Sequence, residues 1–395
     1  MFEAKQFTRN VGIRQRSLRK HCRFGRATEL VYVLATGVAL TIAGSADAQD
    51  TQTFTGNTDQ NWNTVVGSDN WTGAGGNDFA AGDNAVLADT DLVITVNEGS
   101  PISVGDLTVT DGDATPGGLV VVDGAAPNAL DISGTIDVQA DASAAIQVDI
   151  VNNADAVGAG GLSVGNVGGN VSNTGSGFVT VAGAVTGNLD NQSGTTNVNS
   201  GGSIGGTANI SGGTSTVAGT ITGTTTVTDG VLALSNGDLG DLVVSEATAD
   251  GANDATLSSG TVATLTNTAG TTLVSGATVQ GATTVTGGTV QVTSGTLTGA
   301  SSVSGGVLDV DGGDIGTVDT SLSGVADISG GTVASLDQGS TGTSSLTGGT
   351  ITGDVTVSAG TLNVAGGTIS GTSDVSGGTL DVDSGTVAGV DVSSS

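Results

Sequence analysis

The chain has 395 residues, including 69 glycines, 38 acidic residues and only eight Lys or Arg, for a formal net charge of -30. Every Lys and Arg lies at or before Arg26, so the stretch from Gln49 onward carries 35 acidic residues (38 less Glu3, Glu29 and Asp47) and no cation. Such a body repels nucleic acid, anionic lipid and acidic glycans; lacking Cys and His after Gln49, it also excludes disulfides and transition-metal sites built on those residues.

Residues 1–48 read as a signal peptide. Lys5, Arg9, Arg14, Arg16, Arg19, Lys20, Arg23 and Arg26 form a basic n-region, and Leu30 to Ala43 form an apolar run. Ala46-Asp47-Ala48 fits a small-residue cleavage site that leaves Gln49 as the first mature residue. The apolar run is shorter than the roughly 20 residues of a bilayer span. No twin-arginine pair is present, so a Sec-type route is expected, with a secreted or cell-surface destination.

Residues 49–140 hold Pro101, Pro116 and Pro127, together with Phe54, Trp62, Trp71 and Phe79. An exposed first coil of a stacked sheet would invite edge-to-edge pairing. This region is therefore read as an N-terminal cap on an irregular solenoid, with the aromatics closing its apolar channel. Residues 141–275 are loosely periodic, and Phe178 within them reads as an isolated core residue.

Residues 276–395 carry a regular repeat of 18. Gly295, Gly313, Gly331, Gly349, Gly367 and Gly385 form an unbroken column. Leu297, Ile315, Val333, Ile351, Ile369 and Val387 follow two places later; Val292, Val310, Ile328, Leu346, Val364 and Val382 stand three places before. A further column, Val290, Leu308, Ala326, Ser344, Leu362 and Leu380, lies two places before that, and Val285, Val303, Ser321, Gly339, Val357 and Val375 make a weaker fifth. Earlier the register slips by one position, as the spacing of Leu257 and Val274 shows.

Within a repeat the period is two. In Leu308-Asp309-Val310 the aliphatic residues face one way and the carboxylate the other, as in a half-buried strand. Gly-Gly, Ser-Gly and Asp-Gly pairs mark corners, and the glycine column suits a bend with positive φ. The abundance of Val, Leu, Ile and Ala argues against disorder, and glycine without a three-residue period argues against collagen.

The predicted fold is all-β: a right-handed parallel β-helix with coils of about 18 residues. About 15 to 19 such coils, spaced about 4.8 Å apart, would stack along one axis. An array of antiparallel hairpins would not hold so near-integer a register.

The chemical inventory is short. A serine nucleophile has no imidazole, lysine or thiolate to activate it, so no enzyme activity and no cofactor are expected. A polysaccharide-active β-helix enzyme working with paired carboxylates is the remote alternative, set aside because the repeats lack the cations and aromatic platforms of such sites. Among the carboxylates, Asp309 and Asp327 share an outward column, while Asp311 and Asp314 flank the next corner. These four are the candidate ligands for a weakly held calcium ion, a hard cation that takes several oxygens. Solvated acidic corners are the plainer reading. Thr296, Thr332, Thr350, Thr368 and Thr386 form a threonine rank broken by Asp314, a pattern that exposed β-formers explain without ice binding.

Trp62, Asn70-Trp71 and Gly82-Asp83-Asn84-Ala85-Val86-Leu87, followed by units such as Gly366-Gly367-Thr368-Ile369 and Gly377-Gly378-Thr379-Leu380, resemble the autotransporter-associated β-strand repeat. The resemblance spans essentially the whole mature chain. It implies an adhesin-like passenger domain of type V secretion, projecting from the outer membrane. A host, neighbouring-cell or surface-glycan receptor and an outer-membrane translocator barrel are the implied partners. No segment after the repeats reads as such a barrel, so it is expected as a separate partner or a continuation. The last repeat runs in full register into Ser393-Ser394-Ser395 with no aromatic or charged cap, so end-to-end self-association is a further expectation. A structural or matrix spacer without a receptor is the alternative function.

Overall fold

The computed structural model describes residues 178–245 and 254–393 without a break; ahead of residue 178 it describes the strands and a few connecting residues. The chain divides into two compact units, 1–49 and 50–395. In the first, Leu30–Val33 pairs antiparallel with Ala39–Ile42. The second is a right-handed parallel β-helix.

Each coil has three faces, as one repeat shows. Val307–Val310 forms the first face, and Asp314–Thr320 wraps the second and third. The next coil repeats this with Val325–Ile328 and Thr332–Gln338, and each segment pairs in parallel with its equivalent one coil away. Thr and Val suit such strands because their branched Cβ packs well on a pleated surface.

Two positions on the first face point inward, one on the second and two on the third. Val292, Val310, Ile328, Leu346 and Val364 stack in register and are fully buried. Leu297, Ile315, Val333, Ile351 and Ile369 do the same on the second face. Each buried Val, Leu or Ile contributes about 1.5–3 kcal/mol relative to an exposed one. Val382 keeps its place beside Val364 but is 45% exposed, since no coil among the described residues lies over it.

The glycine column behaves as the repeat predicts. Its φ angles are 99° at Gly295, 79° at Gly313, 68° at Gly331, 67° at Gly349, 64° at Gly367 and 101° at Gly385. A Cβ on Gly331 would also stand 2.5 Å from the carbonyl oxygen of Gly313 on the coil below. Handedness and close stacking therefore both demand glycine there. Asn236 reaches the same region of φ, at 63°. Asn236-Gly237 carries a hairpin signal, yet the chain turns a solenoid corner there and continues as Gly237–Ser245, parallel to Gly260–Ala269.

The fifth column departs from the expectation. Val303 pairs with Thr320, Thr320 with Gln338, and Gln338 with Val357. Thr320 and Gln338, rather than Ser321 and Gly339, therefore face inward. Along this column the step from Val303 to Thr320 is one position short of the repeat. The step on to Gln338 matches the repeat, and the step to Val357 is one position long. A strict period therefore reads the wrong residues in the middle of the column. Both polar side chains are fully buried, and Thr320 Oγ1 donates to Gln338 Oε1 at 2.9 Å. Gln338 Nε2 then donates to Ser340 Oγ at 2.9 Å and to Gly342 O at 3.3 Å, which satisfies the amide inside the core. Ser344, the polar member of the neighbouring column, is buried and accepts the Ala326 amide at 3.0 Å.

The same corner is braced by amides elsewhere. Asn173 Nδ2 donates to Asn191 Oδ1 at 3.1 Å and to Ser193 O at 2.8 Å, and Asn191 Nδ2 donates to Ser215 Oγ at 3.0 Å. Asn267 Nδ2 reaches Gly287 O at 2.9 Å while its Oδ1 accepts Thr272 Oγ1 at 2.8 Å.

At the N-terminal end of the second unit the pairing changes direction. Thr51–Phe54 lies parallel to Asn84–Asp89 on one side and antiparallel to Trp71–Gly73 on the other, with Phe54 opposite Trp71. Asn61–Trp62 pairs with Val93–Val96. The strands carrying Phe54, Trp62 and Trp71 thus stand at this end of the stack; Phe79 lies outside the described residues. Coils are longer here than in the regular repeat, as the pairing of Leu130 with Ile102 shows.

Candidate functional site

Whatever this body does, it does with its outward positions, because the inward ones form a continuous core. Two carboxylate pairs stand on the same two coils. Asp309 lies beside Asp327 on the first face, and Asp319 beside Asp337 on the third. The first pair follows from the repeat; the second shares its spacing, but a strict period that turns Ser321 and Gly339 inward would turn Asp319 and Asp337 inward with them.

Burial pushes the Asp309 carboxyl above its ordinary 3.8, and the negative charges of Asp311 and Asp327 push it further, against a lowering hydrogen bond from Gln291. Burial and then the charge of Asp319 raise Asp337 in the same way. Neutral donors answer part of this charge. Gln291 Nε2 donates to Asp311 Oδ2 at 2.9 Å and to Asp309 Oδ2 at 3.4 Å; Ser329 Oγ donates to Asp311 Oδ1 at 2.6 Å and Ser345 Oγ to Asp327 Oδ1 at 2.7 Å.

Three of the four calcium candidates lie near one another and the fourth stands apart. Asp309, Asp311 and Asp327 share the first face and its corner, whereas Asp314 sits on the second face between Thr296 and Thr332. Among the described residues no group of three or more His, Cys, Asp or Glu side chains is placed to hold a metal ion.

The threonine rank is real as geometry. Thr296, Asp314, Thr332, Thr350, Thr368 and Thr386 are register partners on the second face. The positions two residues on are Thr298, Gly316, Ala334, Thr352, Ser370 and Ala388, so the second rank is mixed.

Two features escaped the periodicity. Phe178, expected in the core, is 51% exposed. The strand Phe178–Val181 turns Val179 and Val181 inward, which places Phe178 outside, level with Thr195 on the next coil. The second is an insertion. Leu265 stands beside Leu242, a wider interval than the regular repeat, so one coil is longer than its neighbours. Its extra residues include 246–253, which lie outside the described residues.

No family model matches the chain, and neither a curated protein nor a solved structure matches it. What is observed is an all-β parallel solenoid.

Proposed function

We propose that the chain is an exported surface projection with an adhesin-like, non-catalytic role. The observation that supports it best is the continuous inward core, which lets every coil present its outward side chains at a regular spacing of about 4.8 Å. Repeated presentation of weak contacts on a stiff rod raises avidity without any single strong site. The basic leader supports Sec-type export, and the cysteine-free body suits passage through a narrow pore. A cell-surface or glycan receptor and a separate translocator barrel belong to this reading.

The test is adhesion. Beads coated with the full chain should bind a cell or matrix surface more strongly than beads coated with an equal mass of an unrelated acidic protein. A spacer role is the second reading, favoured by the nearly regular coils between Gly260 and Val375, whose steps differ from the repeat by at most one position. It predicts no adhesion, together with full function when the coils are exchanged for an unrelated solenoid of equal length.

A further inference from the structure

The outer surface of the solenoid is not uniformly acidic. Between Asp155 and Asp229 the sequence holds one charged residue, Asp190. That carboxylate is engaged: Gln192 Nε2 donates to it at 2.6 Å and Asn209 Nδ2 at 3.0 Å. On the first face of these coils one outward rank runs Phe178, Thr195, Thr214 and Val231, register partners on successive coils. The parallel rank two places on runs Thr180, Asn197, Thr216 and Ala233. Phe178 and Val231, at the two ends of the first rank, are 51% and 38% exposed. Farther along the solenoid the same face carries Asp309 and Asp327.

We propose that this uncharged strip, anchored by Phe178, is a binding face for a neutral saccharide chain. The inference rests on the adhesive reading above and names its ligand class. An exposed aromatic ring offers an apolar platform for the face of a sugar ring, and its flat surface costs little conformational entropy on binding. Thr180, Asn197, Thr214 and Thr216 supply hydroxyl and amide groups, which both donate and accept hydrogen bonds as sugar hydroxyls require. A protein partner fits less well, because interface hot spots draw on clustered Trp, Tyr and Arg, and the body after Gln49 has neither Tyr nor Arg. An acidic polysaccharide would meet the uncompensated charge of the whole body. A neutral chain lying along the solenoid axis would meet the ring once and the hydroxyl ranks coil after coil.

The experiment titrates the full chain with cello-, xylo-, manno- and malto-oligosaccharides, and with oligogalacturonate as an anionic control. Binding of at least one neutral series and not of oligogalacturonate is expected. Phe178→Thr, which places the residue of Thr195 and Thr214 at their own rank, should weaken that binding at least tenfold with the thermal midpoint unchanged. Asn197→Ala should weaken it several-fold, and Thr332→Ala on the second face should leave it unaltered. Absence of binding to every neutral series overturns the proposal, as does a Phe178→Thr variant of unchanged affinity, or capture of a protein ligand alone through Phe178. If beads coated with the parent chain and with Phe178→Thr adhere equally, this inference fails and the adhesive reading stands. If the parent adheres to nothing, both fall.

Discussion

Gly331 and Gly389 separate what a glycine does from where it stands. Gly331 has φ of 68° and lies with its missing Cβ aimed at the Gly313 carbonyl; at Gly389 an added Cβ meets nothing within 4 Å. Gly331→Ala should cost about 2 kcal/mol or more from the left-handed backbone and the contact together, read as a fall in the denaturant midpoint. Gly389→Ala should leave the midpoint in place, and equal effects at the two sites would refute this account of the column. The carboxylates make a second case at the same scale. A carboxyl raised above 3.8 in the folded state favours folding while protonated, and that contribution is lost as pH rises through the raised value. Asp309→Asn and Asp337→Asn should therefore be more stable than the parent at pH 7. The parent itself should gain stability from these two groups as pH falls from neutral towards 3.8. Thermal melts of parent and variants across that range check both the sign and the window. The raised values were not legible in the chain, since they depend on how deeply each carboxylate sits.

The strands Asp314–Thr320 and Thr332–Gln338 show how an element tolerates polar side chains in its core. Thr320 and Gln338 satisfy each other and the following corner, in a column whose flanking members are Val303 and Val357. Gln338→Ala alone should destabilise the protein by about 1–3 kcal/mol, because it leaves the buried Thr320 hydroxyl only its longer bond to Asp337 O at 3.3 Å and opens a void. The pair Thr320→Val with Gln338→Val, matching the neighbours above and below, should recover most of that loss. A double variant as unstable as the sum of its singles would show that the two side chains are not energetically linked. The strand pairing was readable from the alternation of Leu308, Asp309 and Val310. Which residue fills the fifth inward position was not, because a short step before Thr320 and a long step after Gln338 shift the phase between corners.

For the whole molecule, the N-terminal edge is the expected control point for association. Thr51–Phe54 would be an open strand edge were it not flanked by Trp71–Gly73, a short antiparallel strand that does not continue the parallel stack. Removing residues 49–90 should leave the later coils folded, since each pairs only with its neighbours, but should promote end-to-end association. Light scattering and circular dichroism on the shortened chain check this. A truncated protein that stays monomeric while losing adhesion would instead make the aromatics of this region a recognition surface.

The parallel solenoid, its coil length, the glycine column and three of its five inward columns were determined by the sequence alone; both inward columns of the third face were not. In this architecture each residue pairs with its equivalent one coil along the chain, so sequence period and spatial register are one quantity. Tertiary structure decided the rest. It set the phase that turns Thr320 and Gln338 inward and the strand direction that turns Phe178 outward. It also placed Asp314 on a different face from Asp309 and Asp327. The reason is common to all three: a strand fixes the alternation of its side chains, but only the corner before it fixes which set faces the core.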